Sequence, residues 1–174
     1  MRSSFCVRLA WFYALLGSGL RAKTRNLGNI NDPSDWLADK FKTSRPVKGS
    51  KMPFSLNAEE LKKYQPNRFP FLMIDIVEEV EPGKYAKGYK NLTNNEWYFP
   101  MHFPGGPNMP GALQLEAMAQ MLTVAITTQE GLAGGVTHAL EHTVRFRKEI
   151  VPGDCLKIEA FVDSWRRGIC RGHA

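Results

Sequence analysis

The stretch from His102 to Gln120, H-F-P-G-G-P-N-M-P-G-A-L-Q-L-E-A-M-A-Q, holds one histidine and one glutamate as its only titratable side chains. Gly105, Gly106, Pro107, Pro110 and Gly111 interrupt regular structure repeatedly, so His102 is expected just before a turn-rich loop. Pro110 suits the first position of a helix, where its missing N–H costs nothing. The residues that follow, roughly 110 to 129, are apolar on most sides: Ala112, Leu113, Leu115, Ala117, Met118, Ala119, Met121, Leu122, Val124, Ala125 and Ile126. A helix of that composition is expected to be buried. The fold must therefore wrap something around it.

Glu116 falls inside that run, about 9 Å along the axis from Pro110 at 1.5 Å per residue. An isolated buried carboxyl is driven toward its neutral form, and a neutral carboxyl at pH 7 can donate a proton. The plainer reading makes Glu116 a polar residue hydrogen-bonded to Gln120 one turn on. The loop favours the chemical reading, because a histidine, an open helix N-terminus and an acid supply base, oxyanion donor and acid within nineteen residues.

Working outward, the 174 residues suit one domain with a sizeable core, and 23% charged residues are ordinary for a globular protein. Charge is unevenly placed. Residues 1–50 carry nine Lys or Arg against three Asp, whereas residues 51–174 carry 14 of each sign. Nucleic-acid binding needs a basic face on the folded part, which this balance does not supply. Cys6, Cys155 and Cys170 are odd in number and unspaced for a metal site or a disulfide framework, which points to a reducing compartment.

Residues 1–50 read as a basic leader and linker. Residues 1–31 have five basic and no acidic residues, and the apolar run Leu9 to Leu16 is too short to span a bilayer. Three readings stay open: a short signal-peptide core, an organelle transit peptide, or an upstream extension with the functional start at Met52. Residues 26–51 look like linker, with Trp36, Leu37 and Phe41 as one docking turn. Residues 51–174 form the expected domain. Asn57 with Glu60 resembles a capping box for a short helix to Tyr64 that Pro66 ends. Phe69 to Val80 is dense in strand formers and closes at Pro82-Gly83, and Lys84 to Asn91 reads as the return strand. Asn91-Leu92-Thr93 matches the N-glycosylation sequon, which counts only in a secreted chain. Trp97, Tyr98 and Phe99 bring an aromatic cluster up to His102, either plain core or the wall of a tunnel.

After the central helix, Gly131, Gly134 and Gly135 mark its end. Val136 to Lys148, Cys155 to Trp165 and Gly168 to the terminus read as strands, the first two joined at Pro152-Gly153-Asp154. The order gives an α+β fold, an antiparallel sheet with the helix on one face. The last strand would present an open edge, as though the C-terminal strand were truncated. His138-Ala139-Leu140-Glu141-His142 matches a zinc-peptidase pattern, but that chemistry needs a helix, and the following Val144-Arg145-Phe146-Arg147 alternates like a strand. No metal site is expected.

Taken together, N-R-F-P-F-L-M-I-D, H-F-P-G-x-P-x-M-P-G-x-L-x-L-E-A-x-A-Q, V-R-F-R-K-x-I-V-P-G-D and S-W-R-R-G-I resemble the 3-hydroxyacyl-[acyl-carrier-protein] dehydratases of type II fatty-acid synthesis. The resemblance covers about residues 57 to 174, with four motifs in order. It implies a hotdog fold, an antiparallel sheet wrapped around a long central helix, assembled as homodimers and often trimers of dimers. It implies that His102 and Glu116 are the catalytic dyad, completed across the dimer interface, and that the Gly111 backbone N–H meets the thioester carbonyl. No metal or organic cofactor is implied. Trp97, Phe99, Phe103, Met109 and Gln120 are the tunnel candidates. The acidic acyl carrier protein would dock on Arg145, Arg147, Lys148, Arg166 and Arg167, or these are an ordinary solvated strand face.

The family usually has Gly where Met101 stands, a basic residue where Gly106 stands and a small aliphatic where Asn108 stands. These departures flank the dyad and bear on loop geometry. The expected reaction is reversible dehydration of a (3R)-3-hydroxyacyl thioester to the trans-2-enoyl thioester, in the cytoplasm, or in a plastid or mitochondrion if residues 1–31 are a targeting segment. The rivals are a hotdog acyl thioesterase and a non-catalytic carrier-binding hotdog subunit.

Overall fold

The computed structural model describes residues 5–12 and 53–174 of the chain. The expected linker and its docking turn at Trp36, Leu37 and Phe41, and the candidate start at Met52, lie outside them. In chain order the elements are β1 (Phe5–Phe12), β2 (Phe54–Leu56), α1 (Ala58–Leu61), β3 (Ile76–Glu81), β4 (Tyr85–Asn91), α2 (Gly111–Thr127), β5 (Val136–Val144), β6 (Cys155–Arg166) and β7 (Ile169–His173). Among the described residues the strands form one sheet in the order β2-β3-β4-β6-β7-β1-β5, every neighbouring pair antiparallel. This is the α+β arrangement expected, with α2 lying mainly on β6 and β4.

Each element has a local cause. Asn57 accepts from the N–H groups of Glu59 and Glu60, and Glu60 reaches back to the Asn57 N–H, completing the capping box of α1. In β6 the residues Ile158 and Ala160 are buried while Lys157 and Glu159 are exposed, the period of two that one covered face imposes. At the β3–β4 turn Gly83 takes φ +76° and its N–H donates to the Ala125 carbonyl at 2.7 Å, pinning the hairpin to α2. From Gln120 to Thr127 every residue of α2 is buried. The core closes around that half of the helix, with Val77, Val80, Ala86, Ile158, Ala160 and Cys170 from the sheet.

Three expectations are corrected. The strand read over Phe69 to Val80 exists only from Ile76. The Gln120 side chain captures the Phe71 carbonyl (2.7 Å) and the Met73 N–H (2.8 Å), backbone groups that a strand would give to a neighbour. The strand begun at Val136 ends at Val144, so Arg145 to Lys148 leave the sheet. The open edge expected at the last strand is also absent: β1, drawn from the stretch read as leader, pairs with β7 on one side and β5 on the other. A strand from so far back in sequence leaves no local signal. Among the described residues no helix is long and apolar enough to cross a membrane.

Candidate active site

His102 is carried by a run of turns between β4 and α2. Glu96 N–H bonds to Thr93 O, Phe99 N–H to Glu96 O, and the N–H groups of Met101 and His102 to Tyr98 O. The imidazole is then fixed by one residue. Asn108 donates its N–H to the His102 carbonyl at 2.8 Å and presents its own carbonyl to His102 Nδ1 at 3.1 Å. A carbonyl only accepts, so Nδ1 carries the proton in the neutral ring and Nε2 is left with its lone pair. Phe103 stacks on the ring with centroids 4.1 Å apart.

Glu116 lies one turn before the fully buried half of α2 and is half-buried, which corrects the expectation of a carboxyl deep in the core. Its Oε1 accepts from Gln120 Nε2 at 2.7 Å and from Asn67 Nδ2 at 3.4 Å, so the plain Gln120 bond does form. Among the described residues no hydrogen bond joins His102 to Glu116 within the protomer.

Pro110 is the N-cap of α2, not its first helical residue, and supplies no side-chain cap. The Gly111 N–H meets no acceptor among the described residues, so the positive end of the helix is open. It faces a cleft of about 370 Å³ lined by Asn108, Met109, Gly111, Gln114, Phe146, Arg147, Lys148 and Glu149. A Cβ on Gly111 would stand 2.8 Å from the Phe146 ring, so a larger residue there would have to displace that ring.

The tunnel candidates separate. Trp97 and Phe103 are exposed, Phe99 belongs to the core, and Met109, buried as well, lines the cleft. Gln120 is 2% exposed with both ends of its amide engaged, which makes it a clamp on residues 71–73 instead of a wall. The cationic candidates also divide. Arg147 and Lys148 line the cleft and Arg145 precedes them, but Arg166 ends β6 and Arg167 lies in the β6–β7 turn. The register runs from Ile169 through Ala10 to His138 at that end and from His173 through Cys6 to Thr143 at the other. The two groups therefore lie at opposite ends of the sheet within a protomer. His138 and Glu141 sit on a strand, as the alternation around them requires.

The profile of the FabA-like domain family matches residues 65–173, more than half of the chain. The chain belongs to the FabA-like family. Among its similar curated relatives, the protein of Clostridium novyi (strain NT) is 45% identical over 106 residues, 60% of this chain and 75% of the relative. That of Clostridium botulinum (strain Hall) is 47% identical over 104 residues, 59% and 72% respectively, and that of Clostridium acetobutylicum 47% over 107 residues, 60% and 75%. All three are named 3-hydroxyacyl-[acyl-carrier-protein] dehydratase FabZ.

Within this FabA-like domain the reading of single residues missed Asn67, which bonds Glu116, and Asn108, which grips His102 through its backbone. A backbone contact leaves no trace in residue identity. A third omission had a signal. Lys90 has the parity of Ala86 and Gly88 on β4, so alternation alone puts a lysine on the covered face.

Proposed function

We propose that this FabA-like chain is a hydro-lyase that reversibly converts (3R)-3-hydroxyacyl-[acyl-carrier-protein] to trans-2-enoyl-[acyl-carrier-protein] in fatty-acid elongation. The names of the curated relatives support the reaction class. The observation that carries the residue assignment is the Asn108 carbonyl on His102 Nδ1, which leaves Nε2 as a base.

In this reading Nε2 removes a C2 proton of the thioester, and the electron pair of that C–H bond moves toward the carbonyl. The Gly111 N–H at the positive end of α2 faces the oxygen where negative charge builds. The pair then forms the C2–C3 double bond as the C3–O bond breaks, and Glu116 gives its proton to the departing hydroxyl, which leaves as water. Both donors to Glu116 sit on Oε1, so Oε2 is the oxygen available to hold that proton.

A homodimer completes the pair in this proposal. Met101 and Phe103 flank His102 at 60% and 57% exposure, and Phe69 and Phe71 flank the segment clamped beside Glu116 at 90% and 46%. Apolar exposure on both catalytic arms suits a partner copy. The acyl carrier protein would approach the cleft past Arg145, Arg147 and Lys148, and the reaction would run in the cytoplasm.

His102→Ala and Glu116→Gln are each expected to lower kcat by about 10²–10⁴-fold, read from enoyl thioester absorbance. Normal dehydration by either variant sinks the assignment. Release of free thiol with no enoyl absorbance would identify a thioesterase instead.

A further inference from the structure

Lys90 is 8% exposed at the end of the covered face of β4, and its ammonium has three oxygen neighbours. These are Glu96 Oε1 at 2.8 Å, Asp75 Oδ1 at 3.3 Å and the Asn91 carbonyl at 3.4 Å. The Asp75 and Asn91 contacts are hydrogen bonds, and the Glu96 contact is an ion pair. The two carboxylates belong to different arms of the site. Glu96 opens the chain of turns that leads through Tyr98 O to the His102 N–H. Asp75 closes the segment that runs from Asn67, the donor to Glu116, through Phe71 and Met73, both gripped by Gln120. Asp75 is held in turn by the Asn91 N–H at 2.8 Å, and its own N–H bonds to Tyr89 O. The Tyr98 ring packs beside this junction with its hydroxyl buried. Burial first, and then the charges on Glu96 and Asp75, raise that hydroxyl above the usual tyrosine range.

A lysine on the core side of a sheet is costly to desolvate unless it is paired, and a long aliphatic residue would fill the same space without that cost. Here the pairing joins the two loops that place the two reacting groups. We infer that Lys90 is a positioning residue whose bridge from Glu96 to Asp75 sets the loop of His102 against the segment that holds Glu116. The inference rests on the dyad reading above. It predicts a loss of alignment, not of binding, because Lys90 does not line the cleft.

The test uses the full chain and a 3-hydroxyacyl-carrier-protein substrate at a temperature where each variant is folded by circular dichroism. Lys90→Met is expected to lower kcat by about tenfold or more with KM within about twofold, since a misplacement of about 1 Å can cost 10²-fold. Lys90→Arg, whose guanidinium can span both carboxylates, is expected to recover most of that loss. Glu96→Gln keeps the side chain's size and should lower kcat in the same direction, and combined with Lys90→Met should add little, because both cut one link. If Lys90→Met does not fold, Glu96→Gln decides in its place. A folded Lys90→Met, or Glu96→Gln, with kcat within about twofold of the parent while His102→Ala is inactive overturns the inference and leaves the dyad standing. Full activity in His102→Ala and Glu116→Gln overturns the dyad itself.

Discussion

The Asn108 side chain has no part in holding His102, although its backbone makes both contacts to that residue. Asn108→Leu is therefore expected to keep the imidazole in place and to leave kcat within about threefold, while KM shifts with the altered cleft wall. Steady-state kinetics checks this, and a collapse of kcat would show that the amide itself takes part. The cysteines give a second contrast at this scale. Cys155 is exposed, whereas Cys170 is buried and its thiol is pushed up to about 12, first by burial and then by the charge of Asp163. At pH 9 Cys155 should be alkylated promptly and Cys170 only after unfolding, with peptide mass mapping as the readout. Because the folded thiol titrates above its ordinary 9.0, its contribution to stability is full below pH 9 and is lost as pH rises from 9 toward 12. Thermal unfolding across that window should show Tm falling.

Among the elements, two close approaches leave room for nothing larger than hydrogen, one where β7 meets α2 and β6 and one where β4 meets β3. A Cβ at Gly172 would stand 2.5 Å from Phe161 O and 2.7 Å from Leu122 Cδ1, and one at Gly88 would stand 2.1 Å from Ile76 O. Gly172→Ala is expected to destabilise by about 1–3 kcal/mol, the usual cost of overpacking, and Gly88→Ala by more because its three nearest atoms are all backbone, the closest at 2.1 Å. Chemical denaturation checks both, and an unchanged midpoint for Gly172→Ala would mean that β7 can shift away from the helix. Much at this scale was legible. The Asn57 and Glu60 spacing gave the capping box, the apolar run gave α2 to within two residues, and Pro82-Gly83 marked the hairpin. The strand from Phe69 was not, because the group that withholds it from the sheet is a glutamine about fifty residues away. Glu116 was placed too deep for a related reason. An apolar run tells that a helix is covered, but not where along its length the cover begins.

For the whole molecule, β1 is the component that neither composition nor period revealed. Eight residues amid a basic, acid-free stretch resemble a leader, and only the tertiary fold supplies the strands on either side. A chain that starts at Met52 would leave the edges of β7 and β5 unpaired. It is expected to unfold about 5 °C lower or more and to self-associate, as open strand edges do. Thermal unfolding together with sedimentation checks this, and a monodisperse truncated form of unchanged Tm would show that the sheet does not depend on β1. The opposed placement of Arg145 to Lys148 and of Arg166 to Arg167 belongs to this scale as well. In a single copy only the first group lies beside the cleft.

The pairing of Cys6 with His173 also has a kinetic consequence. A sheet whose closure joins residues from opposite ends of the numbering cannot finish by zipping along neighbouring hairpins. β3 and β4, like β6 and β7, can meet within one short turn, but β5 and the outer edge of β7 wait for a segment that must return across almost the entire polypeptide, a search that slows with the sequence distance spanned. Refolding should therefore run in two stages, an early one that protects the amides of the β3–β4 and β6–β7 hairpins and a late one that protects those that β5 and β7 direct at β1.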